Sequence, residues 1–210
     1  MVDERSEILG RIEGHRVALD RLEARLRAIS AEPAAVAEKW PPRGFYLTYH
    51  VVAGLMIGLL GSLTSFLANV VGSLLVEQDP LLFLRAYGTV FLGPNALATH
   101  DLTFFMLVAV VHASVGAVAG AIFHVGLAFF VPERPALQIA LGAAYGLLMW
   151  LVNLYIAIPF LQAEIWGEVL VLKVMPWWVA AVTHLIYGLT LGLLEPLGRF
   201  EPFRPAQEAA

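Results

Sequence analysis

Four polar side chains stand inside long apolar stretches of this chain: Asn69, His112, Asn153 and His184. A neutral imidazole offers one donor and one acceptor and is a common metal ligand, while an amide offers both kinds of hydrogen bond. In a lipid-spanning helix such groups need a partner inside the protein, because an unpaired one in hydrocarbon costs a few kcal/mol. With about 1.5 Å of rise per residue, the four fall roughly 10–14 Å from the outer ends of their helices. Each helix therefore contributes one residue to a common buried layer.

Three chemistries suit that layer. The first is interhelical hydrogen bonding, at about 0.6 kcal/mol per bond. The second is haem b ligation, with His112 and His184 presenting imidazoles to one iron from diagonal helices. The third is a quinone headgroup or lipid pocket formed by the same two histidines with Asn69 and Asn153. An ion path is disfavoured, because no Asp, Glu, Lys or Arg falls inside an expected span. His50 and His124 are expected near the interface, where an imidazole reaches water.

No other catalytic constellation is present. The chain lacks a Gly-x-Ser-x-Gly elbow, a His-Glu-x-x-His pair, a Walker loop and a dinucleotide fingerprint. It has no cysteine, which removes thiolate metal sites and cysteine nucleophiles. No enzyme and no metal site is expected, and the net charge of −4 gives no footprint for nucleic acid.

The elements that must position these residues are transmembrane helices. Of 210 residues, 59% are hydrophobic and only 14% charged. Thr103 to Val131 carries no charge over more than the roughly 20 residues that cross a bilayer. Four spans are expected, over about 45–76, 103–131, 135–161 and 175–194. The fold class is an all-α integral membrane bundle of four helices, residues 44–195, behind an N-terminal segment 1–43 and before a loose Pro-rich tail 196–210. Within residues 77–102 the apolar stretch 81–92 predicts a short interfacial or re-entrant helix.

One spacing recurs in all four spans: a polar residue, then glycines four and eight positions on. These are His50, Gly54, Gly58; His112, Gly116, Gly120; Gln138, Gly142, Gly146; and His184, Gly188, Gly192. Residues at i, i+4 and i+8 share one helix face, so each copy makes a smooth groove for close helix approach. The four grooves are expected to face each other. The recurrence also aligns spans one and two with spans three and four, as tandem hairpins related by an axis along the membrane normal.

Residues 1–38 read as one cytoplasmic helix. Ile8, Ile12, His15, Leu19, Leu22, Leu26 and Ile29 form an a/d seam of about three heptads. The seam suits a partner chain, a second copy of this one, or the membrane surface with its lipids. Pro33, Pro41 and Pro42 are expected to interrupt the helix before the first span. Eleven of thirteen Lys and Arg residues fall on the side of both termini, which predicts cytoplasmic termini.

Through Tyr145-Gly-Leu-Leu-Met-Trp-Leu-Val-Asn153 and Thr183-His-Leu-Ile-Tyr-Gly-Leu-Thr-Leu-Gly192, the chain resembles bacterial four-span inner-membrane proteins of the YagU type. The resemblance covers roughly residues 46–195 and implies a bacterial inner-membrane helical protein with no catalytic residues to carry over. The heptad segment departs from that compact pattern. Together these features lead to the expectation of a non-catalytic subunit docking in a larger, energy-converting membrane complex. The alternatives are a small haem- or quinone-binding protein and a small transporter.

Overall fold

The computed structural model describes residues 2–39, 43–77, 79–131 and 134–200. It forms two units, 1–46 and 47–210. The first holds helix α1 (Val2–Lys39), which runs through Pro33 instead of stopping there. A proline removes one backbone hydrogen bond, which can bend a helix without ending it. Pro41 and Pro42 lie outside the described residues, as does the side chain of Ile29.

The membrane unit contains α2 (Arg43–Glu77), α3 (Leu82–Leu92), α4 (Leu102–Phe130), α5 (Pro135–Val152), α6 (Ile158–Trp166), α7 (Val171–Val174) and α8 (Trp177–Leu194). A π-helical turn, Asn153–Ala157, joins α5 to α6. Four stretches are long and apolar enough to cross a membrane: Tyr46–Val76, Leu102–Phe130, Pro135–Trp166 and Trp177–Gly198. They are spans one to four of an all-α membrane protein. Span three runs past its expected end at 161, because the π turn lets the helix continue.

Glycine fixes the packing, in two pairs. A Cβ on Gly54 would stand 2.6 Å from Ala121 Cα, and one on Gly58 would strike Gly116 O and Ala117 Cα. In the second hairpin a Cβ on Gly142 would strike Gly188 O and come within 3.0 Å of Gly192 Cα, while Gly146 meets His184 O and Gly188 Cα. The four grooves thus close within each hairpin instead of converging on one axis. Backbone contact this close is open only to glycine, and it supplies the dispersion that lipid cannot.

The two crossings are not in the aligned register. Gly120 meets Gly54 O and Gly58 Cα, whereas the residue meeting Gly142 O and Gly146 Cα is Gly188, not Gly192. The second hairpin is slipped by one turn relative to the sequence alignment. Glycine at every fourth position permits this, since the slip still sets glycine on glycine.

Tyrosines space the hairpins. Tyr187 Oη donates to Gly116 O (2.7 Å), with its ring over Gly61, and Tyr145 Oη donates to Ala119 O (2.9 Å). Thr64 and Thr190 join spans one and four at 3.0 Å.

The end carrying the chain termini is closed by a buried polar network. Residues 195–198 form a 3-10 turn, and Glu195 is fully buried. The tail expected to be loose is therefore folded as far as Phe200, and 201–210 lie outside the described residues. Arg199 Nε donates to Glu195 Oε1 (2.8 Å), and its Nη2 donates to Val131 O and Leu127 O at the end of α4. His124 Nε2 lies 3.0 Å from Gly198 O and 3.2 Å from His50 Nδ1. Both histidines are buried instead of reaching water: the returning turn lies against His124, and His50 packs on His124 and Phe129.

Gly58→Ala is expected to destabilise the bundle by about 1–3 kcal/mol, the usual cost of overpacking. Gly126→Ala, with nothing within 4 Å of the new methyl, should leave the unfolding midpoint in detergent unchanged or higher.

Candidate functional site

The expected polar layer is realised in part. His112, Asn153 and His184 line one cavity of about 310 Å³, with Ser62, Ser65 and Tyr187. Asn69 is elsewhere: its Nδ2 donates to Ser65 O (2.9 Å), and it faces a small void beside Phe66, Leu84 and Val108. Tyr87 stands between the two spaces, lining both.

Local sequence explains where each group sits. Spans two and three touch near Ala119 and Tyr145, toward the termini, and their other halves border the cavity. Ile158 N–H bonds Asn153 O, five residues back, in the π turn. Pro159 accounts for this, since it lacks an N–H and its ring crowds the preceding turn. Such turns are frequent at functional sites, and here both ends of the turn, Asn153 and Ala157, line the cavity.

The cavity opens sideways. Its lining includes Phe91, Val115 and Leu161, which are 43%, 50% and 44% exposed on the outside of the bundle. Val115 lies near the middle of α4, at the depth of the hydrocarbon. The opening between spans two and three therefore faces lipid tails.

The far end is covered by α3, through Tyr87, Val90 and Phe91, and α3 leads into the 3-10 turn Gly93–Ala98. Gln162, fully buried, ties this lid down: its Nε2 donates to Thr89 Oγ1 (2.6 Å), while its Oε1 accepts from Leu170 N and Val171 N. Trp166 Nε1 donates to Val90 O (3.1 Å), and the indole packs on Gly93, whose φ of 57° favours glycine. At the lid's start, Asp79 accepts from Leu81 N (3.0 Å) and pairs with the buried Arg85 guanidinium. Burial pushes the Tyr87 hydroxyl's pKa up, so the phenol beside Asn69 stays protonated.

The two cavity histidines are oriented by backbone carbonyls. His112 Nε2 lies 3.3 Å from Ser62 O, and its ring packs against Phe66 and Tyr87. His184 Nδ1 lies 2.8 Å from Ala180 O, and its Nε2 is 3.5 Å from Asn153 Nδ2. A carbonyl only accepts, so the bonded nitrogen carries the proton on each ring. No Asp, Glu, Lys or Arg lines the cavity among the described residues, so nothing there balances an imidazolium.

Sequence reasoning missed Tyr187, Tyr87, Gln162 and the Glu195–Arg199 pair. Tyr-Gly occurs three times, as Tyr87-Gly88, Tyr145-Gly146 and Tyr187-Gly188, the last two carrying the hairpin spacers and the first the tyrosine of the lid. Gln162 and Glu195 sit at helix ends, where a polar residue carries no sequence signal of burial.

No protein-family model, curated protein or solved structure matches this chain. Fold and site define its class: a four-span helical membrane protein with a laterally open intramembrane cavity.

The Leu81 N–H bond, and after it the Arg85 pair, hold the Asp79 carboxyl below its ordinary value of 3.8. A depressed carboxyl pKa stabilises the fold above the ordinary value and loses that contribution as pH falls through the folded value. Protection of the α3 amides against hydrogen exchange, taken relative to the intrinsic rate at each pH, is therefore expected to fall as the pH drops below 3.8, and Asp79→Asn should remove that fall.

Proposed function

We propose that this protein binds a membrane-dissolved amphiphile, a lipid or quinone-type molecule, with its head in the cavity of His112, Asn153 and His184 and its tail in the bilayer. The observation that carries the reading is the convergence of these three groups in a mainly apolar cavity that opens at hydrocarbon depth. A volume of about 310 Å³ is at the small end for ligand sites, about 300–1,000 Å³. It suits a headgroup or a single ring better than a whole tetrapyrrole. Haem b remains matched in ligand type alone, through the two imidazoles.

The expected site residues divide accordingly. His112, His184 and Asn153 bind the head, and Asn69 holds Tyr87 in place. The positive charges at the termini side put both termini in the cytoplasm under the positive-inside rule. The resemblance to YagU-type proteins supports a bacterial inner membrane as its location.

Ala157→Trp fills the cavity from the π turn. Wild type isolated in a mild maltoside detergent should carry a stoichiometric amphiphile by mass spectrometry of its organic extract. The variant should lose it while keeping its unfolding midpoint. Equal amphiphile content in both would refute the reading, and haem bands in a reduced-minus-oxidised spectrum would turn it to the cytochrome alternative.

A second reading, favoured by α1, is a subunit that docks in a larger membrane complex. Ile8, Ile12, Leu19, Leu22 and Leu26 are 52–67% exposed along one seam of that helix. This is an apolar stripe suited to another chain. Deletion of residues 1–38 should release co-purifying partner chains without changing the membrane unit's unfolding midpoint. An unaltered set of partners, or a clean monomer before deletion, would discard this docking role.

A further inference from the structure

The polar atoms of the cavity define the chemistry of the head. Ala180 O fixes the Nδ1–H tautomer of His184, so Nε2 presents a bare lone pair. Asn153 faces it with Nδ2, since the reverse amide orientation would set Oδ1 against that lone pair. Their separation of 3.5 Å is too long for a strong bond, which leaves an acceptor and a donor side by side and each poorly satisfied. His112 repeats the logic: Nε2–H faces Ser62 O, and its other ring nitrogen is an acceptor. Ser62 Oγ, in a residue only 2% exposed, has no hydrogen-bond partner among the described residues.

Resting on the amphiphile reading, we infer that the cavity selects a neutral, hydroxyl-bearing head, such as a quinol or a long-chain alcohol, over carbonyl-only and anionic heads. A hydroxyl can donate to His184 Nε2 and accept from Asn153 Nδ2 at once. A quinone or ester carbonyl can only accept, and it leaves the imidazole lone pair with no partner but the long 3.5 Å contact from Asn153. A carboxylate or phosphate meets the same lone pairs and finds no Lys or Arg among the described lining residues. Selection thus comes from two backbone carbonyls, which set the ring tautomers without touching the ligand.

Three probes with one tail test this: oleyl alcohol, methyl oleate and oleate, each titrated against the full-length protein in maltoside micelles, with ligand-induced thermal stabilisation as the readout. Oleyl alcohol is expected to bind about tenfold or more tightly than methyl oleate, as befits a buried acceptor left poorly paired by the ester. Oleate should bind no better than the ester. In His184→Phe the alcohol's advantage should vanish while methyl oleate binding persists. Because that substitution alters a packed ring, Asn153→Leu provides a second variant, expected to narrow the same gap. Equal binding of alcohol and ester in the wild type, or oleate as the tightest probe, overturns the headgroup inference and leaves the amphiphile reading standing. Failure of all three to bind, or binding undiminished in Ala157→Trp, overturns both.

Discussion

Backbone-to-backbone contact between glycines is the constraint from which the rest of this membrane unit follows. Lipid tails are as apolar as leucine, so burying leucine between helices gains little. What remains is dispersion and weak Cα–H···O contact, both of which need the backbones to touch. Gly54, Gly58, Gly116 and Gly120 provide this in one hairpin, and Gly142, Gly146, Gly188 and Gly192 in the other. The close approach is used up within each hairpin. Between hairpins, Tyr187 and Tyr145 stand as rigid spacers that reach carbonyls through their hydroxyls. A bundle tight within pairs and propped open between them has room for a cavity at the seam.

The polar groups around that seam fall into two kinds. At the termini end, Arg199 bonds Glu195 and the carbonyls of Leu127 and Val131, while His124 Nε2 meets Gly198 O and His50. A buried pair such as Glu195–Arg199 is weak evidence for stability, and here it fixes where the chain leaves the fourth span. At the lid end, Gln162 makes three bonds and holds α3 against α6 and α7. His184 and Asn153 lie between these closures with polar capacity to spare. His124 turns Nε2 to a carbonyl and a second imidazole and keeps a buried Nδ1 without a hydrogen bond, so what separates it from His184 is not saturation but access: His184 borders the cavity and His124 does not.

The slip of one turn between the hairpins bears on the site. His112 lies eight residues before its crossing glycine, Gly120, and His184 lies four before Gly188. The two imidazoles are therefore not symmetry mates about a central ligand. His112 packs against the lid through Tyr87, while His184 reaches across to the π turn. Under the amphiphile proposal, an asymmetric pair of this kind would hold one side of a headgroup.

Hydropathy and spacing by themselves determined the four spans, the short helix before the second one, the glycine faces, and the placing of His112, Asn153 and His184 well inside their spans. These follow from local periodicity and from the length a bilayer demands, so they are legible in one dimension. Tertiary structure alone decided which grooves meet, because glycine every fourth residue permits several registers and several partners with similar contact. It also set Asn69 apart from the cavity, buried His50 against His124 and His124 under a returning turn, and enclosed Glu195 and Gln162. Those outcomes depend on which carbonyls and side chains arrive from distant segments, and on whether they use up a polar group's hydrogen bonds or leave one free.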